Sequence, residues 1–286
     1  MPTRPSAVRR ALTWWFSPPA NPYVCVSGAI DAAPAQAWLA GLRAQDRPIT
    51  LQHLITGAVA QALRAHPAAN ARVQGGRIVT APHVGVGMPV NLLGHAGGAK
   101  RELSATLLER AETLSLQQVS ELTRGKVAVE RTGQVQNPVM RGLLRWADHA
   151  PSGLLERGLD GLDGVLQTRW GAAGFYAAVP ITTGITNPGA TIRGDDGMLF
   201  RAVSIQIPNR VLSVGTIWGV SAVQDEVIAV DGQPAVRPML PVLLAFDHRI
   251  LDGVAAGRLM KTFATVLRDP GAIFGPLGDQ PPTLPA

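Results

Sequence analysis

Met239-Leu240-Pro241-Val242-Leu243-Leu244-Ala245-Phe246-Asp247-His248-Arg249-Ile250-Leu251-Asp252-Gly253 decides how the rest of this chain is read. An apolar run over 239–245 passes into a short polar turn, in which His248 stands four positions ahead of Asp252-Gly253. Apolar residues then recur at Val254, Leu259, Phe263, Val266 and Leu267, the spacing of one helix face. The stretch predicts a buried strand, a tight turn and an amphipathic helix over 253–267. A neutral imidazole fixed at such a junction, with an ordinary pKa near ~6.5, accepts a proton from a thiol or hydroxyl around neutral pH. Asp252 has two readings: it braces the turn or pairs with an arginine, or it caps the following helix. Asp247 and Arg249 read as a structural ion pair. No cysteine cluster, phosphate loop or metal-ligand spacing competes with this turn for the chemistry, and no metal is expected.

Upstream of the turn, residues 203–207, 211–223, 227–230 and 236–245 alternate or run apolar, and Asp231-Gly232 marks a hairpin turn between the last two. Residues 23–30 read as a strand and 35–42 as a short helix with Trp38 and Leu42 on one face. Residues 51–65 form the clearest helical pattern: Leu54, Ile55, Ala58, Val59, Ala62 and Leu63 share a face, Thr50 is in capping position and Pro67 follows the end. Residues 70–80 read as a hairpin about Gly75-Gly76, and 83–92 as a further strand. Residues 103–122 are expected to be one long helix. The patterns at 139–146 and 154–166, broken by Pro151-Ser152-Gly153, predict an inserted helical hairpin over about 139–166, suited to packing on another subunit. The chain from Phe175 onward is expected to be strand-rich, and the segment after Asp269-Pro270 to lie over the surface. Helices and strands without regular alternation point to an α+β mixed sheet and not to a doubly wound one.

The 286 residues suffice for one large domain with a full core. We divide them into an N-terminal arm (1–20), a catalytic domain (21–270) and a C-terminal tail (271–286). Only 16% of the residues are charged, which argues against disorder. The formal charge is +6, from 26 basic and 20 acidic residues, and only Lys100, Lys126 and Lys261 are lysines. No basic run interleaves with aromatics, so a nucleic-acid partner is not expected. A basic surface does suit an anionic ligand such as a nucleotide-bearing cofactor. Cys25 is the only cysteine, which excludes an intrachain disulfide and fits the cytoplasm. It is expected to be a small buried residue in a strand. Arg4, Arg9 and Arg10 followed by Leu12, Trp14, Trp15 and Phe16 read as a docking arm, with peripheral membrane contact the alternative. Residues 171–192 carry no charge, but Pro180, Pro188 and several glycines and threonines oppose a membrane span.

A second candidate segment is Thr182-Thr183-Gly184-Ile185-Thr186-Asn187-Pro188-Gly189, where hydroxyls and an amide meet a glycine turn. A hydroxyl here is either an oxyanion donor or ordinary turn chemistry.

These segments together carry a family resemblance. Phe246 to Gly253 resembles the His-x-x-x-Asp-Gly signature of the dihydrolipoyl acyltransferases that form the core of 2-oxo acid dehydrogenase complexes and share the fold of chloramphenicol acetyltransferase. Gly184 to Gly189 resembles that family's Thr-Ile-Ser-Asn-x-Gly segment, Arg210 to Gly215 the strand before its last hairpin, and Arg237 to Pro241 the strand leading to its histidine. Residues 51–70, ending His66-Pro67-Ala68-Ala69-Asn70, resemble its helix followed by a Pro-x-x-Asn turn. The resemblance covers most of residues 21–268. It implies a chloramphenicol acetyltransferase-like fold, His248 as general base, Thr186 as the hydroxyl that steadies the tetrahedral intermediate and Asp252 as the carboxylate that holds the turn. It further implies coenzyme A or acyl-CoA as a substrate, a small-molecule or carrier-bound acceptor, and a site built between subunits of a homotrimer that in this family extends to larger cages. The chain shows no lipoyl attachment site and no subunit-binding domain, so the expectation is a stand-alone acyltransferase domain. The CoA-contacting residues are not assigned. The alternative reading is a non-catalytic trimeric scaffold that keeps the fold and binds a protein partner or a membrane surface.

Overall fold

The computed structural model describes residues 22–92, 94–95, 103–149, 151–190 and 213–283. The expected N-terminal arm, the strand at 203–207 and the first half of the Arg210 to Gly215 segment lie outside these residues.

The architecture is organised by β9 (Gln233–Asp247), the strand predicted from the opening stretch. Its second half is flanked on one side by β1 (Tyr23–Asp31), antiparallel from Tyr23 opposite Asp247 to Asp31 opposite Met239. On the other side lies β7 (Thr216–Val220), antiparallel with Thr216 opposite Phe246 and Val220 opposite Val242. β8 (Gln224–Val230) continues along β9 from Gln224 opposite Met239 to Val230 opposite Gln233. Four steps from Val220 to Gln224 face three steps from Val242 to Met239, so one extra residue is inserted at 221–223, a β-bulge that bends the edge. Asp231 and Gly232 both have positive φ, 50° and 76°, as the two-residue hairpin turn predicted for this pair requires.

β7 runs parallel to β6 (Thr183–Thr186), β6 parallel to β4 (Val86–Asn91), and β4 antiparallel to β5 (Leu103–Leu108), which completes a seven-stranded mixed sheet ordered β1-β9-β7-β6-β4-β5 with β8 beside β9. The α+β mixed-sheet expectation holds. A separate hairpin joins β2 (Ala71–Gln74) to β3 (Arg77–Thr80) through Gly75 and Gly76, at φ 53° and 70°.

One face of the sheet is covered by α1 (Ala33–Arg43), α2 (Leu51–Ala65) and the helix predicted after His248, Gly253–Arg268, which becomes the main core. Leu259, Phe263, Val266 and Leu267 are buried as expected, whereas Val254, on the first turn, stays exposed. Phe263 stacks on Trp218 of β7 at 4.8 Å between ring centroids, and both are fully buried. α2 is buried along almost its whole length. The opposite face carries Val214, Leu243 and Ala245 with Tyr23, Ile181 and Ile217 packed on them.

Four expectations are corrected. Residues 103–122 are not one helix. Residues 103–108 are claimed by pairing with β4, a tertiary interaction that overrides the coincidental helical spacing of Leu107, Leu108, Ala111 and Leu114. The helix here, α3 (Leu116–Arg131), starts at a capping box: Gln118 N donates to Ser115 Oγ at 3.2 Å and Ser115 N to Gln118 Oε1 at 3.0 Å. The insert holds α4 (Pro138–His149) and α5 (Ser152–Leu166), and also α6 (Arg169–Ala178), so residues 175–178 are helical and not part of the strand-rich region. Phe175 and Tyr176 give α6 a small core of its own with Leu166, Ala172 and Val179. The segment after Asp269-Pro270 is not draped over the surface. α7 (Gly253–Arg268) is followed by α8 (Pro270–Phe274), whose Ile273 and Phe274 enter the main core. A Cβ at Gly57 would stand 2.8 Å from the Phe274 ring, so the glycine in α2 makes room for it. Cys25, expected to be buried, is exposed, because β1 is an edge strand with an open face.

Candidate active site

The turn after β9 is held from several directions. Ile250 N and Leu251 N both donate to Asp247 O, at 2.9 and 3.1 Å, and His248 N donates to Pro22 O at 2.9 Å. The Asp247 carboxylate is fully buried and clasped by Arg249: Arg249 N and Nε reach Oδ1 at 2.9 Å, and Nη2 reaches Oδ2 at 2.7 Å. This is the ion pair expected from sequence. It sets the conformation of the residue between its partners, which is His248. Burial, reinforced by the Asp247 charge, pushes the neighbouring Tyr23 hydroxyl up to about 12.

His248 Nδ1 lies 2.8 Å from Leu251 O. A carbonyl only accepts, so Nδ1 carries the proton and the basic lone pair belongs to Nε2. The turn thereby selects the tautomer a general base needs. His53 is arranged oppositely: Thr50 N donates to its Nδ1 at 3.1 Å, so that nitrogen holds the lone pair in the capping box of α2. Burial lowers the His53 pKa to about 4, with Arg124 adding to the effect.

Asp252 is exposed and accepts a hydrogen bond from Ala255 N at 2.8 Å, as the N-cap of α7. Of its two sequence readings the structure displays the cap, which also fixes where the turn ends.

The threonines of the second segment separate into different tasks. Thr182 Oγ1 accepts from Gly85 N at 3.0 Å, and Thr183 Oγ1 bonds Thr216 O at 3.0 Å and lies 2.8 Å from Thr216 Oγ1, all buried. Thr186, at the C-terminal end of β6, is half-buried, and its hydroxyl is bonded to no other described residue. Asn187 is tied to α2 by donating to Gln52 Oε1 at 2.7 Å. Sequence reading gave Asn187 and Gln52 no role, although a glutamine in the first turn of a largely apolar helix is a visible signal. Gly189 lies against the backbone of Ser221 and Ala222, so a side chain there would collide with the β7–β8 bulge.

Within one chain Thr186 and His248 do not meet. Thr186 is level with Gly219, and Gly219 with Leu243. Five residues of β9 at about 3.3 Å each, plus two inter-strand spacings of about 4.8 Å, put Thr186 and His248 on the order of 19 Å apart.

The family model described as 2-oxoacid dehydrogenases acyltransferase (catalytic domain) matches residues 17–143 and 212–275. Among curated proteins, the dihydrolipoyllysine-residue acetyltransferase component of the acetoin cleaving system of Bacillus subtilis is 26% identical over 227 residues, 79% of this chain and 43% of its own length. The chain thus spans less than half the length of this relative. Among solved structures, a probable dihydrolipoamide acetyltransferase from Listeria monocytogenes superposes with a TM-score of 0.61 at 17% identity, over 94% of both chains. The dihydrolipoamide acetyltransferase of Azotobacter vinelandii, studied for the roles of a serine, a histidine and an asparagine in its catalytic mechanism, gives 0.58 at 18% identity, over 93% of this chain and 88% of its own. Chloramphenicol acetyltransferase gives 0.54 at 14% identity, over 93% of this chain and all of its own.

Proposed function

Because the chain belongs to the 2-oxo acid dehydrogenase acyltransferase (catalytic domain) family, we propose that it moves an acyl group between coenzyme A and a thiol or hydroxyl acceptor. His248 Nε2 takes the proton of the acceptor S–H or O–H as that atom attacks the thioester carbonyl carbon. The resulting oxyanion accepts a hydrogen bond from the Thr186 hydroxyl. The intermediate collapses by breaking the carbon–sulfur bond, and the CoA thiolate recovers the proton from the imidazolium. No acyl-enzyme forms. Asp252 acts one step removed, by capping α7 and so fixing the end of the turn that carries Leu251 O.

The observation that carries this reading is the bond between His248 Nδ1 and Leu251 O, which leaves the base function to Nε2. The separation of Thr186 from His248 along the sheet supports a site assembled between chains, in a homotrimer with His248 from one subunit and Thr186 from the next. The acceptor is a small molecule or a carrier-bound group. Release of free CoA thiol across a panel of acyl-CoA donors tests the proposal. His248→Ala should lower turnover by about 10²–10⁴-fold, and equal turnover by wild type and variant would remove the histidine from the mechanism.

A further inference from the structure

The β2–β3 hairpin presents two faces. Ala71, Val73 and Ile78 pack towards the core. Arg72 pairs with Val79 and Gln74 with Arg77, so these four residues share the opposite face. That face is partly open to solvent, with Arg72, Gln74 and Val79 half-buried and Arg77 exposed. It meets the junction between α5 and α6 and encloses with it a cavity of about 490 Å³, lined by Arg72, Gln74, Arg77 and Val79 from the hairpin and by Gln167 and Arg169 from the junction. Gly75 closes the contact: its N–H faces Gln167 Oε1 at 3.4 Å, and a Cβ there would run into Gln167 O at 2.5 Å.

Three arginines therefore line one cavity, and no carboxylate among the described residues forms an ion pair with any of them. Arg72 is the most constrained. Its guanidinium lies 3.5 Å over the Tyr176 ring and gives one hydrogen bond, from Nε to Gln74 Oε1 at 3.3 Å. Burial lowers its pKa, the response of a cation removed from water without an acidic partner. Arg169 stands in the first turn of α6, whose N-cap Thr168 accepts from Gly171 N at 3.1 Å, so the positive end of that helix adds to the field. Like charges held together in a partly dry cavity call for an anion, and planar guanidinium forks match phosphate oxygens in pairs. The volume suits the diphosphate portion of an organic ligand better than a single small ion.

We propose that this cavity is a binding site for a diphosphate-bearing ligand. It lies toward the His248 end of the sheet. Tyr176 OH receives Ser213 N at 2.7 Å, and Gly215 O, two residues on, receives Asp247 N at 3.0 Å. The proposal stands independently of acyl transfer, because binding is measured without turnover. Titration calorimetry of the full chain uses inorganic pyrophosphate and, separately, CoA, with wild type and with Arg77→Gln/Arg169→Gln, both exposed positions. Pyrophosphate should bind wild type and weaken by about tenfold or more in the double variant, since charge-assisted hydrogen bonds are lost. Thermal melting of the variant checks its folding, and Arg169→Lys should restore part of the affinity. A parallel loss for CoA identifies the CoA diphosphate as the occupant. Unchanged CoA affinity with lost pyrophosphate binding identifies a separate phosphorylated ligand. No pyrophosphate binding by wild type, or equal binding by the variant, overturns the proposal.

Discussion

The separation of Thr186 from His248 leads to a mixing experiment. A proton transfer needs the base within about 3 Å of the group it serves, and two positions on the order of 19 Å apart in one sheet cannot close that gap by side-chain reach. In a three-fold trimer each site would therefore draw His248 from one chain and Thr186 from its neighbour. His248→Ala trimers lack every base, and Thr186→Ala trimers lack every oxyanion hydroxyl and should keep only about 10⁻²–10⁻³ of the rate. When equal amounts of the two chains are unfolded, mixed and refolded together, an interface is intact only if a Thr186→Ala chain supplies the histidine and a His248→Ala chain the threonine. Random assembly makes about one quarter of interfaces intact, because both choices are even. CoA-thiol release should rise to about one quarter of wild type, far above either parent, while parents mixed as preformed trimers should show no rise. If mass spectrometry finds mixed trimers and the rate stays at the mean of the parents, the inter-chain site is wrong.

Two further outcomes follow from the buried groups. His53 has a folded pKa of about 4 against an ordinary 6.5, so the unfolded chain binds the proton that the folded chain refuses. Its contribution is complete above pH 6.5 and falls away as the pH drops towards 4, by about 3 kcal/mol in all. Urea melts at neutral pH and near pH 4 should show this slope flattened in His53→Gln, which keeps an acceptor for Thr50 N; an unchanged slope would assign the acid sensitivity elsewhere. Asp247→Asn removes the carboxylate charge that clasps the Arg249 guanidinium, which is 12% exposed, and should cost about 3–5 kcal/mol. Asp247→Asn/Arg249→Met should recover part of that loss in the same melts, and a single-variant cost below about 1 kcal/mol would show that the pair does not hold the turn.

How much of this could be read from the chain depended on the range of the interactions involved. The strand, turn and helix around His248 are local: an apolar run, a residue type that caps helices and a periodic apolar face are contiguous in sequence, and their prediction stands. The Asp231-Gly232 and Gly75-Gly76 hairpins are legible for the same reason, since positive φ at both turn residues favours those types. Residues 103–108 were not legible as a strand, because their spacing suits either period and only the partner β4 decides. The capping box at Ser115 was a local signal that marked the true helix start.

The sequence by itself determined the strand, turn and helix around His248, the mixed sheet and the family, because these rest on residue type and near-neighbour spacing. Only the tertiary structure decided which nitrogen of His248 holds the lone pair, which of the three threonines at 182, 183 and 186 leaves its hydroxyl unbonded to any other described residue, and that Thr186 and His248 stand at different levels of one sheet. It also brought Arg72 and Arg77 of a hairpin and Arg169 of an inserted helix to the lining of one cavity. Hydrogen bonds and charges act through space at a few ångströms, and residues separated by tens to hundreds of positions come within that range only when the chain is folded.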